Sequence, residues 1–263
     1  MVHVTDILAY LDKIAPLTMI MEPDNVGLIV GRGDAEVRRV LLALDVTDAV
    51  IDEAIALDAQ LILAHHSVIF GSLSHVTDSD LTGRKVLKLA RHDIAMIAMH
   101  TNLDIVTGGV NDVLAEALGL SNLEILWELG ELDGKPYGLG RVGILPAPME
   151  MADFLPQVKA AVDSVGLRYH DAGRPVERVA VIGGGGGSGL SKAIAAGCDT
   201  FVTGDAKYNI FLEALGAGIN LIEADHYCTE NVITAPLAEM VSTAFPTLEV
   251  RVSARHGQVT KFF

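Results

Sequence analysis

His65-His66, His100 with Asp104, and His226 with Glu230 are the residues of this chain whose types and spacing could do chemistry. Imidazoles and carboxylates together form a ligand set for divalent cations. Each group closes an apolar run: residues 61–64 lead into His65, 94–99 into His100, and 221–225 into His226. Short apolar runs of this kind read as buried strands of a parallel sheet, where chemistry collects at the strands' carboxyl ends. Three such ends delivering His and carboxylate can converge on one place.

Each group also has a plainer reading. Adjacent residues of a regular strand point to opposite faces, so His65 and His66 share a cavity only if the strand has ended, or if each holds a different metal. Taken alone, the pair is as compatible with a structural role as with ligation. His226 and Glu230 lie four apart and share one face if a helix begins near Tyr227; a helix-end ion pair is the alternative. His100 and Asp104 are also four apart, in a stretch that reads as loop. Asp104 suits a hard or borderline cation, and His100 is either a ligand or a group that orients one.

The run from Gly183 to Gly187 follows a predicted strand and precedes a helix. Gly184, Gly185 and Gly186 are therefore candidates to cradle an anion with backbone N–H groups, with a tight turn as the even alternative. The run fits neither a dinucleotide fingerprint nor a phosphate-binding P-loop. Thr203-Gly204-Asp205 either lines the same cleft or is a plain turn. Cys228 would point away from His226 and Glu230 on a helix, which argues against ligation. His3, His75, His92, His170 and His256 lack partners at ligand spacing and read as surface or core residues, with His75 a reserve candidate.

The elements that must carry these residues alternate. A helix is expected over 5–14, a short apolar run over 28–30 and a strand over 39–44. A helix over 48–57, capped by Thr47, then leads to the strand at 61–64, making a βαβ unit. Helix 83–92, strand 94–99 and helix 111–118 follow. The pattern loosens from Ser121, and 134–140 reads as a loop and as the seam between two halves. Beyond it come strand 141–145, helix 149–165, strand 178–182, helix 189–196, strand 200–203, helix 209–215 and strand 220–224. A largely helical stretch over 229–245, interrupted by Pro236, precedes a closing strand at 248–252. Leu61-Ile62-Leu63-Ala64-His65-His66 and Leu221-Ile222-Glu223-Ala224-Asp225-His226 agree at four of six positions, each after an Ala-Leu-x-Ala segment. The expectation is an α/β protein of two similar lobes, 1–128 and 129–263, with largely parallel or mixed sheets.

Composition narrows the function. Half of the 263 residues are hydrophobic, enough for a large core, and no apolar run is long enough for a membrane span. A net charge of −15 opposes a nucleic-acid footprint and favours cations as partners. Two cysteines make no disulfide framework, and the N-terminal residues lack the shape of a signal peptide, so a cytoplasmic protein is expected.

Several motifs together resemble those of the GTP cyclohydrolase I type 2 homologues, the NIF-three-like dinuclear-metal proteins. Asp24-Asn25-Val26-Gly27-Leu28 is similar to that family's DNVGL, and His65-His66-Ser67-Val68-Ile69-Phe70 to its HHPLIF. His100-Thr101-Asn102-Leu103-Asp104 with Gly108-Gly109-Val110-Asn111-Asp112 resembles HTNLD followed by GGVND. The glycine run, Thr203-Gly204-Asp205 and His226 to Glu230 complete the order. The resemblance implies metal ligation by His65, His66, Asp104, His226 and Glu230, with Glu230 bridging two divalent ions (zinc, iron, manganese, nickel or magnesium). It further implies a site between two α/β lobes and a homo-hexameric ring. Ser67 stands where the family usually has Pro, and Asp225 where it usually has Gly, adding negative charge beside the metals. The expected activity is metal-dependent hydrolysis of a nucleotide-like or phosphate-bearing small molecule, with His100 as catalytic proton acceptor or orienting group. The rival is a metal-binding or regulatory scaffold without turnover.

Overall fold

Strands β5 (Leu61–Ala64) and β6 (Ala95–Ala98) are buried at every position, as strands covered on both faces of a parallel sheet must be. The computed structural model describes residues 1–263 and divides into two units. Unit 1 comprises Met1–Leu103 and Thr234–Gly257; unit 2 comprises Asp104–Ile233 and Gln258–Phe263.

Unit 1 begins with β1 (Val2–His3) and α1 (Val4–Ile14), a helix that buries Val4, Ile7 and Leu11 along one face. Next come β2 (Gly27–Val30), β3 (Glu36–Val37) and β4 (Arg39–Ala43). Thr47 caps α2 (Asp48–Ala56) by accepting from Val50 N at 3.2 Å, as the sequence predicts. α3 (Leu81–Arg91) joins β5 to β6. β4, β5 and β6 are parallel neighbours, and β2 closes the sheet antiparallel to β6. Because Ala64 pairs with Ala98, the residues that leave β5 and β6 emerge side by side. The stretch after His100 is a short helix, α4 (Thr101–Ile105), rather than the loop expected. Its start is organised by Asp24, whose Oδ2 accepts from Thr101 N at 3.1 Å and from Thr101 Oγ1 at 2.5 Å.

Unit 2 opens with α5 (Val110–Ala117) and then departs furthest from expectation. Where the sequence suggests a loop and a seam, β7 (Ser121–Leu132) and β8 (Lys135–Met149) form a long antiparallel hairpin. It turns at Asp133-Gly134, both at positive φ, a turn chemistry that matches strand twist. Glycine here serves strand packing rather than flexibility: a Cβ on Gly138 would overlap the carbonyl oxygen of Trp127 on the paired strand. α6 (Met151–Ala161) and β9 (Arg168–His170) lead to β10 (Val176–Ile182). α7 (Leu190–Ala195), β11 (Thr200–Thr203), α8 (Tyr208–Ala217) and β12 (Asn220–Glu223) follow, then α9 (His226–Asn231). β10, β11 and β12 are parallel, flanked by antiparallel β8 and β9. Their carboxyl ends release the glycine run, Gly204-Asp205 and Asp225-His226.

α10 (Thr234–Ala244) and β13 (Glu249–Val252) return to unit 1, where β13 pairs parallel with β4 in the register Glu249↔Arg39. The expected division at 128/129 is therefore corrected at both ends: residues 104–128 belong to unit 2, and 234–257 complete unit 1. The cause is a nonlocal strand pairing, reinforced where Arg39 Nε meets Glu249 Oε2 at 3.1 Å. The α/β class with mixed sheets stands as expected. No helix is long and apolar enough to cross a membrane.

Candidate metal centre

In unit 1, β5 ends at Ala64, so His65 and His66 are no longer bound by strand alternation. Their rings lie 4.9 Å apart between centroids, and that of His100 is 5.2 Å and 5.3 Å from them. One ring nitrogen from each of the three histidines falls within 4.8 Å of the others. The remaining nitrogens are anchored. His65 Nδ1 donates to Met99 O at 2.7 Å, His66 Nδ1 to Asp45 Oδ1 at 2.8 Å, and His100 Nδ1 to Asp24 Oδ1 at 2.7 Å. A carbonyl or carboxylate can only accept, which fixes the proton on Nδ1 and gives Nε2 the lone pair that a cation needs.

Asp24 is the organiser behind His100. Its side chain is fully buried and also accepts from Asn25 N at 2.7 Å. Burial pushes its carboxyl up, but hydrogen bonds from His100 and Thr101 more than offset this and hold it at about 2.

In unit 2, His226 opens α9 and Glu230 lies one turn later, with His226 Nε2 3.1 Å from Glu230 Oε2. Here too Nδ1 is held, by Asp205 Oδ2 at 2.7 Å. The hydrogen bond that His226 donates to Glu230, opposed by burial, raises its imidazole to about 9. A carboxylate oxygen of Asp104 lies within 4.8 Å of one from Glu230. Two carboxylates so close repel unless a cation or proton accompanies them. Unit 2 thus brings together Asp104, His226 and Glu230, and unit 1 brings together His65, His66 and His100. A nitrogen-and-oxygen donor set with every imidazole pre-oriented fits a zinc-like divalent metal.

Gly184 has φ +59°, and a Cβ there would overlap Glu230 Oε1 and come within 3.2 Å of His226 Nε2. The run's donors are largely committed. Gly183 N donates to Asn111 Oδ1 at 3.0 Å, Gly184 N to Thr229 Oγ1 at 3.0 Å, and Gly186 N to Gly184 O at 2.9 Å. An anion cradle over Gly184, Gly185 and Gly186 therefore rests on Gly185, whose α-carbon borders open space. Asp225 takes φ +74°, which explains why glycine suits this position. Its carboxylate accepts from Cys228 N at 3.2 Å and Thr260 Oγ1 at 2.6 Å, so it serves as helix cap and tail anchor. Cys228 is buried in the core cluster around Phe154, and burial pushes its thiol up to about 12.

Spacing did not reveal the anchors Asp24, Asp45 and Asp205. Each lies 21 to 76 residues from its histidine, though Asp45 and Asp205 each follow a strand end by two residues.

Comparison with known proteins adds a family. A GTP cyclohydrolase 1 type 2 homolog of Clostridium perfringens is 34% identical over 237 residues, covering 90% of both chains. The homolog of Lactococcus lactis is 36% identical over 228 residues, covering 85% of this chain and 86% of that one. The crystal structure of a Bacillus cereus protein related to NIF3 superposes with a TM-score of 0.94 at 26% identity, covering 100% of this chain and 99% of the other. The model of Duf34/NIF3 (NGG1p interacting factor 3) matches residues 2–258, and the chain belongs to that family.

Proposed function

We propose that this chain is a metal-dependent hydrolase of a nucleotide-like or phosphate-bearing small molecule, with two divalent ions held by His65, His66, Asp104, His226 and Glu230. One observation carries the reading: His65, His66 and His226, three of these ligands, each have Nδ1 held by a carbonyl or carboxylate, so that Nε2 is the nitrogen each would offer a cation. Such pre-orientation has a purpose in ligation that a merely buried histidine does not need. Imidazole with carboxylate favours zinc, iron, manganese or nickel over magnesium.

Divalent ions there would supply Lewis acidity, acidify water and offset charge developing on a phosphate. The chain's own contribution is orientation and proton handling. Asp24 fixes the His100 tautomer so that Nε2 can accept a proton, the arrangement by which a carboxylate steers a general base. The name carried by the relatives in Clostridium perfringens and Lactococcus lactis points to GTP cyclohydrolase-like chemistry. A homo-hexamer in the cytoplasm is part of the proposal.

Elemental analysis of protein purified without added metal, followed by a nucleotide-hydrolysis panel on the same sample, tests this. About two metals per chain with turnover is expected. Metal without turnover on the panel would favour the scaffold, and no uptake even after divalent ions are added back would remove the metal premise of both.

A further inference from the structure

Asp45, two residues beyond β4, holds two histidines at once. Its Oδ1 accepts from His66 Nδ1 at 2.8 Å and its Oδ2 from His256 Nε2 at 2.7 Å. His256 lies 211 residues further along the chain, in the segment after β13, and its side chain is 8% exposed. That segment is pinned in turn. Ser253 N donates to Leu42 O at 2.7 Å, Ser253 Oγ to Glu53 Oε2 at 2.5 Å, and Ala254 N to Glu53 Oε1 at 3.0 Å. All of these residues belong to unit 1.

We propose that His256 is a positioning residue for the metal centre: by donating to Asp45 it fixes the carboxylate that orients His66 and its Nε2. The inference rests on the reading of His66 as a ligand. A carboxylate held at one oxygen can still rotate about its last side-chain bond. With both oxygens held by imidazoles from distant segments of the chain, it cannot rotate without breaking a hydrogen bond. The Asp45 carboxylate has no hydrogen to give and accepts at both oxygens. It is a fixed acceptor, so the His66 proton stays on Nδ1 and the lone pair on Nε2. The chain His256–Asp45–His66 is thus longer by one member than the carboxylate–histidine pair usual behind a metal.

The test compares full-length H256F, which keeps a buried ring but removes the donor, with H256Q, whose amide N–H can stand where Nε2 stood. Co2+ affinity is measured by chelator competition, and the visible spectrum of the Co2+ protein is recorded. The tautomer of His66 is read from imidazole nitrogen signals in metal-free protein. H256F is expected to lose about tenfold in Co2+ affinity, shift the cobalt bands and mix the His66 tautomers. H256Q is expected to return to within about threefold of wild type. If H256F misfolds, H256N, whose amide falls short of Asp45, replaces it in the comparison with H256Q. Wild-type affinity, spectrum and tautomer in the donor-lacking variant would overturn the proposal. If wild-type protein takes no Co2+, the metal reading fails by itself. The tautomer then decides whether His256 orients His66.

Discussion

Gly184 and Glu230 meet backbone to carboxylate: a Cβ on the glycine would overlap Oε1 of the glutamate. The glycine is also left-handed, at φ +59°. Close approach to a candidate ligand, more than loop mobility, explains a glycine here.

Gly184→Ala should therefore displace the Glu230 carboxylate, with metal affinity falling about tenfold or more. Gly185→Ala is the control, because no atom lies within 4 Å of its would-be Cβ and its φ is −74°. Metal titration of the two variants checks this. Equal affinities would show that the packing does not constrain the site.

Replacing Glu230 with Gln keeps the shape against Gly184 and removes the charge shared with His226 and Asp104. Bound metal should fall by about half or more with unfolding midpoints retained, since charged carboxylates are what a divalent cation selects. Elemental analysis beside a thermal melt decides it. Unchanged metal content would remove Glu230 from the site.

Asp24 gives a pH prediction whose sign follows from its depressed carboxyl, at about 2 against 3.8. The folded protein binds this proton more weakly than the unfolded chain, so the stabilisation is full above pH 4 and lost as pH falls through about 2. The shift corresponds to about 2 kcal/mol. Urea unfolding between pH 6 and 2 should show this loss in wild type and a smaller one in Asp24→Asn. Parallel pH curves would mean that the His100 and Thr101 bonds add nothing at Asp24.

The strands and helices around the site were legible because their signals are local. The apolar runs at 61–64 and 95–98 needed only length and composition, and Thr47 announced its helix. The hairpin β7–β8 was not legible, because Gly130, Gly138 and Gly143 look like loop residues until the partner strand is known to press against them. The return of β13 to β4 was invisible for a related reason: parallel pairing across 210 residues leaves no local trace. Candidate ligands announced themselves by type, whereas Asp45 and His256 behind them are ordinary residues made special by distant partners.

Arg141 shows how unit 2 tolerates a buried cation. Its Nη2 meets Asp112 Oδ2 at 2.6 Å and Val106 O at 2.9 Å, while Nη1 reaches Gly138 O at 3.0 Å and Gly140 O at 2.8 Å. Arg141→Ala would strand the Asp112 carboxylate and cost about 3–5 kcal/mol. The double variant Arg141→Met, Asp112→Leu should recover most of it. Denaturant unfolding of both variants provides the check, and a cost below about 1 kcal/mol for the single variant would mean that water replaces the guanidinium.

His226 couples metal binding to protons. With Glu230 beside it the imidazole titrates at about 9, so near neutral pH the metal-free chain carries a proton on Nε2, where a cation would bind. The cation must displace that proton, and affinity should rise with pH up to about 9 and then level off. The slope should approach tenfold per pH unit for one proton released. In Glu230→Gln the largest cause of that rise is removed while Asp205 stays, so the imidazole moves back toward its ordinary range and the plateau should begin at lower pH. Chelator-competition titrations from pH 6 to 10, with calorimetry in two buffers to count protons, measure both features. An affinity that does not change with pH in wild type would show that His226 takes no part in ligation.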